Sequence, residues 1–282
     1  MTEAELRQRL IDFRNAETDP GLAAAALLVA ACDRPEFEPG VVHARLGAMA
    51  FGAKGYVTSH HHPRARVEGL CFYLKDVLGL HGDETHYYSR DNSCIDRVLA
   101  TGRGIPITLA VIYAEVGNQV GLDCEGVNFP GHFLVRVRAA DAGESTLLID
   151  PFAGRVMTFG ACQEFLHRLM GRDESLGPQH LQAASARDVL LRMLNNLKQL
   201  ALAGQDLEGV LRFSERIQLV EPTLLLEHRD RALIHEKLED RVSAMSEWQA
   251  LADRLEDDDA RARVLARVDA LSGRLDDGRV VH

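Results

Sequence analysis

Apolar residues recur at helical spacing through residues 1–80, and the pattern predicts four helices there. "AELRQRLIDF" opens the chain, and "DPGLAAAALLVAACD" follows with Asp19 placed as an N-cap and Pro20 at the first helical position. "GVVHARLGAMAFGAK" and "RVEGLCFYLKDVLGL" come next. The latter puts Val67, Leu70, Cys71, Leu74, Val77 and Leu78 at helical spacing, and Gly79 or Gly82 stops it. Between 91 and 158 the pattern changes. "DNSCIDRVLATG" predicts a short helix closed by Gly102, with Ser93 and Asp96 at capping-box spacing. "GIPITLAVIYAEVGNQVGL" has Pro106 in its first turn and is apolar nearly all round from Ile107 to Val116, as a helix buried on most sides is. "CEGVNF", "HFLVRVRA" and "STLLIDP" then read as strands, the last two joined by the polar turn "ADAGE". A buried helix leading into an antiparallel sheet is an α+β pattern.

From about 183 onward the chain reads as helical, with few glycines. "DLEGVLRFSERIQLVEP" and "DRVSAMSEWQALADRLE" align from Asp206 and Asp240, 34 residues apart, which sets Val210 against Ala244 and Ile217 against Leu251. A helix-turn-helix period of that length is the tetratricopeptide signature. Pro222 stands where such repeats place proline, but the second copy lacks it, and a plain helical bundle is the competing reading. Trp248 falls on the packing face of the second copy, and "LEDDDARAR" reads as a solvated, charged helix start or turn. The expected division is 1–180, a helical N-terminal part plus an α+β core, and 181–282, tetratricopeptide-like helical hairpins.

Charge and composition then remove whole classes of function. A formal net charge of −10 argues against nucleic acid and against an anionic membrane as partner, since both attract basic surfaces. The longest apolar run, "GLAAAALLVAAC", is too short to span a bilayer and has no basic flank before it, so it is neither a membrane helix nor a signal peptide. The five cysteines (Cys32, Cys71, Cys94, Cys124 and Cys162) are scattered without a Cys-x-x-Cys pair, which points to free thiols in a reducing cytoplasm. There is no Walker loop and no GxGxxG, and neither a cofactor nor a metal is expected. The triple histidine of "SHHHPR" reads as a solvated loop, because consecutive residues do not converge on one ion.

The candidate chemistry centres on "NFPGHFLVRV" (128–137), where a Pro-Gly turn sets His132 directly before a strand. With the "ADAGE" turn centred near 141 or 142, pair numbers sum to 282, and Asp150 stands opposite His132 on the same face. A slip of one residue would separate them. A carboxylate beside an imidazole fixes its tautomer and forms the base-and-orienter half of a catalytic triad. It serves equally as a satisfied structural pair. A zinc site of His132, Asp150 and Cys124 has no matching spacing, and "HYYS" (86–89) either lines a cleft or packs as an aromatic cluster.

The run "NSCIDRVL…GIPITLAVIYAEVG…GL…GVNFPGHFLVRV…LLIDPF" resembles the SirB-type invasion-regulator family, strongly over about 67–158 and more loosely along the helical tail. The resemblance implies a transglutaminase-like core, similar to papain-like thiol enzymes, followed by tetratricopeptide-like repeats. In such cores a Cys opens the buried helix, a His starts a strand and an Asp ends the next. His132 and Asp150 match the His and the Asp. The helix opening, usually Gly-x-Cys with Ala four residues on, corresponds to "GIPITLA", so Pro106 holds the position of the Cys. Three residues are substitutes for the nucleophile. Cys94 opens the short helix, where the dipole and free N–H groups lower a thiol pKa. Thr108 lies in the first turn of the buried helix, and Cys124 on the strand before "FPGHF". The expectation is a non-catalytic protein-interaction or regulatory factor, its C-terminal repeats presenting a groove to a protein or peptide partner. The alternative is a thiol-dependent acyl transferase or amide hydrolase of Cys-His-Asp type, with His132, Asp150 and a displaced Cys94.

Overall fold

The computed structural model describes residues 1–138, 146–171 and 174–277, without the side chains of 274–277. The chain is α+β, and its contacts divide it into two units, Met1–Met193 and Leu194–His282.

The first unit opens with α1 (Glu3–Arg14), capped reciprocally by Thr2 and Glu5. α2 (Leu22–Asp33) starts later than the pattern predicts. Gly21 turns the chain at φ +87°, which leaves Pro20 outside the helix, and the Asp19 carboxylate accepts instead from the amides of Gly21 (2.8 Å) and Ala186 (3.0 Å). α3 (Pro39–Thr58) and α4 (Pro63–Phe72) follow, each with proline in its first turn, and α4 runs into one π-helical turn at Tyr73–Val77. β1 (His81–Gly82) pairs in parallel with β2 (Arg103–Gly104), and α5 (Ile95–Thr101) lies between them. Gly102 closes α5 in the left-handed region, as expected. The cap at its other end is Cys94 and not Ser93, whose buried hydroxyl has no hydrogen-bond partner among the described residues.

α6 (Pro106–Gln119) is the buried helix, with every residue from Pro106 to Ala114 out of solvent. It leads into β3 (Asp123–Val127), β4 (Leu134–Arg138), β5 (Leu147–Asp150) and β6 (Arg155–Met157), a four-stranded antiparallel sheet in that order. β6 is too short to leave a period in the sequence. α7 (Phe159–Met170), capped by the Thr158 hydroxyl, packs Cys162 and Leu166 onto Val127, Phe129, Leu134 and Leu148. The "ADAGE" turn lies outside the described residues, but the register of the strands it joins is set: Val135 pairs with Ile149 and Val137 with Leu147, so pair numbers sum to 284. The sum of 282 is therefore corrected. Asp150 ends β5 one step past Ile149, and His132 belongs to the turn before β4.

α8 (Ala186–Ala203) spans the division between the units. The second unit continues with α9 (Leu207–Val220), α10 (Leu226–Lys237), α11 (Arg241–Ala252) and α12 (Asp258–Asp277). Asp206 caps α9 through the Gly209 amide, and Asp240 caps α11 through the Ser243 amide. Ala232, Ala244, Trp248, Leu251 and Leu271 form a core in this unit. No helix among the described residues is long and apolar enough to cross a membrane.

Candidate active site

His132 is placed by the turn that precedes it. Gly131 adopts φ +61°, a backbone that L side chains rarely take, and the His132 amide donates to the Phe129 carbonyl at 3.0 Å. The imidazole then packs edge-on against Phe165 (4.9 Å between centroids) and Phe152 (6.2 Å). Its Nε2 lies 2.9 Å from Asp150 Oδ1. The same oxygen accepts from the amides of Phe152 (3.0 Å) and Ala153 (3.2 Å), because Pro151 turns the chain back over the carboxylate.

Burial pushes the Asp150 pKa up, but the hydrogen bond and charge of His132, with the two backbone amides, outweigh it and hold the carboxyl below its ordinary value. Asp150 is therefore a carboxylate at neutral pH and accepts a proton-bearing Nε2. In the neutral imidazole this leaves the lone pair on Nδ1, which makes no hydrogen bond among the described residues. The pair is an oriented base.

None of the nucleophile candidates read from the sequence is activated by its surroundings. Pro106 occupies the first turn of α6, buried, where the thiol would open the helix. Cys94 caps α5, yet its environment reverses the effect expected of a helix N-terminus. Burial first, then the Asp33 carboxylate 3.6 Å from the sulfur, pushes the thiol pKa up. Cys124 on β3 is pushed up to about 12 by burial and by Asp123, and Cys71 to about 12 by burial and by Glu68. Cys162 is pushed up to about 11, by burial first and by Asp150 second. All five cysteines are buried. The Thr108 hydroxyl is sealed in α6 without a hydrogen-bond partner among the described residues, so none of them activates it.

The histidines of "SHHHPR" sit exposed at the start of α4, and no cluster of metal-ligating side chains occurs among the described residues. A cleft of about 520 Å³ is lined by Asp19, Ala114, Asn118, Cys124 and Glu125, and neither His132 nor Asp150 belongs to its wall. Tyr87 of "HYYS" reaches Phe152 (6.1 Å between centroids) and so borders the His132 ring's surroundings. Phe165 escaped the sequence reading because α7 itself did. Phe152 stands in plain sight in "IDPF", but nothing in one sequence says that its ring turns toward His132.

Residues 41–195 match the family model of the transglutaminase-like superfamily. Among curated proteins, a UPF0162 protein of Xylella fastidiosa is 30% identical over 235 residues, covering 82% of this chain and 82% of that protein. A UPF0162 protein of Vibrio cholerae is 27% identical over 251 residues, 89% of this chain and 92% of that one. F-box only protein 21 of Homo sapiens is 31% identical over 145 residues, 48% of this chain and 21% of that protein.

Proposed function

This chain belongs to the transglutaminase-like superfamily, with the UPF0162 proteins among its relatives, and from that premise we propose that it is a non-catalytic protein-interaction or regulatory factor of SirB type. The observation that carries the reading is Pro106 in the first turn of α6, in the place of the attacking thiol. Support comes from the five buried cysteines, four of which (Cys71, Cys94, Cys124 and Cys162) have thiol pKa values pushed upward, which disfavours each of those four as a replacement thiolate. His132 and Asp150 then serve as a clamp between the turn before β4 and the end of β5. The helices after residue 193 act as tetratricopeptide-like hairpins that present a groove to a peptide, a role supported by the equivalent caps at Asp206 and Asp240. The scattered, buried cysteines suit a reducing cytoplasm. Incubation of the purified chain with a panel of peptides and amides, read by mass spectrometry, is expected to give neither hydrolysis nor acyl transfer. Turnover that disappears in His132→Ala would falsify the reading.

One observation favours a second reading, a thiol-dependent acyl transferase or hydrolase. His132 is already oriented as a base, with Nδ1 unbonded among the described residues. Cys94 is its first candidate nucleophile, and that role requires α5 to open enough to release the thiol from Asp33.

A further inference from the structure

His228, in α10, is a buried histidine held on both ring nitrogens by other elements of the second unit. Gln218 reaches it from α9, Glu247 from α11 and Arg254 from the turn after α11. These partners fix where its proton sits. A guanidinium only donates, so Arg254 Nη1, 2.8 Å from His228 Nε2, requires a lone pair there. Gln218 imposes the same requirement independently. Its Oε1 accepts from Arg231 Nη2, which turns its amide N–H groups toward His228 Nε2. The proton is therefore on Nδ1, which donates to Glu247 Oε2 at 2.6 Å. The folded helices hold a neutral imidazole in one tautomer.

Their arrangement opposes a second proton. Arg231 Nη2 lies 3.0 Å from Nδ1, so guanidinium groups face the imidazole at both nitrogens. The carboxylate on the ring is Glu247, and Arg231 already donates to both of its oxygens at 2.8 Å. Burial pushes the Glu247 pKa up, but the hydrogen bonds of Arg231 and His228 outweigh it and hold the carboxyl below its ordinary value. Glu247 thus stays ionised through the range in which a histidine titrates. A proton on Nε2 turns an acceptor into a donor that faces two donors, and both bonds break. Gln218 cannot flip its amide to repair this without giving up Arg231. An opened chain leaves the histidine free to take that proton.

We propose that His228 is an acid-sensitive latch: neutral, it ties α10 to α9 and to the end of α11, and protonation of Nε2 releases it from Gln218 and Arg254. The latch goes beyond the binding role proposed above and does not depend on whether the core is catalytic. The neutral ring is favoured in the closed helices alone. Its contribution is therefore fully present above about pH 6.5, where a free histidine loses its proton, and is lost as pH falls below that value. The released helices are those that carry the recurrent caps at Asp206 and Asp240, so acidification acts on the tail and not on the His132–Asp150 pair.

The test uses the full chain. NMR of nitrogen-labelled histidine reads the tautomer directly, and His228 is expected to be neutral with its proton on Nδ1 at about pH 7.5. Hydrogen exchange of α9, α10 and α11, corrected for the intrinsic pH dependence of exchange, reads the opening. The opening constant is expected to rise about tenfold between about pH 7.5 and about pH 5.5. His228→Gln keeps an oxygen that can accept from Arg254 but takes no proton, and should lose that rise. His235 titrates in both chains, so the difference between them isolates His228. Gln218→Glu sets an acceptor opposite Nε2, which welcomes the proton, and should flatten or reverse the rise. Thermal melts at neutral pH confirm that the variants fold, and the tautomer measured in the wild type decides the matter if they do not. A proton on Nε2 or a charged ring at about pH 7.5 overturns the proposal. So does an opening constant that rises equally in the wild type and in folded His228→Gln, or a wild type with no rise.

Discussion

His132 Nε2 and Asp150 Oδ1 meet at 2.9 Å although the two residues are not partners in the strand register. With pair numbers summing to 284, the position across from Asp150 is 134. The contact forms because a two-residue offset keeps a side chain on the same face of a sheet, where an offset of one would reverse it. The turn at Gly131 then folds the imidazole back toward the sheet end, where Pro151 has already curled the Asp150 carboxylate under its own backbone amides.

Because His132 is buried and the half-buried Asp150 relies on it for its side-chain partner, His132→Ala should cost about 1–3 kcal/mol in urea denaturation at neutral pH. The Asp150 pKa is lower in the folded chain than its unfolded value of about 3.9. Its contribution is thus fully present above that unfolded pKa and is lost as pH falls through the folded one. The stability difference between the wild type and Asp150→Asn should be flat above about pH 5 and shrink below about pH 4. A difference that grew on acidification would contradict the assigned tautomer and charge.

The thiols supply a kinetic expectation. A cysteine pushed from 9.0 to about 12, as Cys71 and Cys124 are, holds about a thousandfold less thiolate near neutral pH. Site-resolved alkylation should label all five cysteines slowly in the native chain and quickly in denaturant. Rapid native labelling of Cys94 alone, lost on adding a ligand, would instead support the thiol-enzyme reading.

The buried helix, the three longer strands and the 34-residue recurrence were legible because each follows from a period or a turn residue. So was the identity of the His132–Asp150 pair, since parity survives an error of two in the pair sum. Cap positions were less legible: Gly21 displaced Asp19 and Cys94 displaced Ser93, because a cap depends on the φ of one residue and not on residue type alone. The Cys94 thiol was misjudged for a tertiary reason. A short helix sets a small favourable field, but burial beside Asp33, 61 positions away in sequence, overrides it.

In the second unit Lys198 is nearly sealed from solvent, with Nζ bonded to both oxygens of Glu227 (2.7 and 2.9 Å) and to Asp230 (3.3 Å). Removing one partner of a buried pair strands the other charge, whereas replacing both by apolar groups removes the desolvation cost as well. Lys198→Met should therefore cost about 3–5 kcal/mol, and Lys198→Met with Glu227→Leu should recover most of it. Equal losses in the single and double variants, measured by urea titration, would mean that packing of the lysine stem and not charge dominates.

The last prediction concerns the recurrence itself. Gln205 and Glu239, 34 positions apart, are the non-glycine residues with positive φ among the described residues, at 58° and 60°. Each stands directly before the aspartate that caps the next helix, and each aspartate accepts an amide three residues on. The left-handed conformation costs an L residue about 1–2 kcal/mol, while glycine adopts it freely but gives up more entropy from the unfolded chain. Gln205→Gly should therefore stabilise the chain by about 0.5–1 kcal/mol, with the same sign at Glu239. Asp206→Ala should cost about 1 kcal/mol, again with the same sign at Asp240. If the two positions are equivalent parts of a repeat, matched substitutions shift the thermal midpoint in parallel. Opposite signs at 205 and 239 would show that the two turns share a spacing without sharing a role.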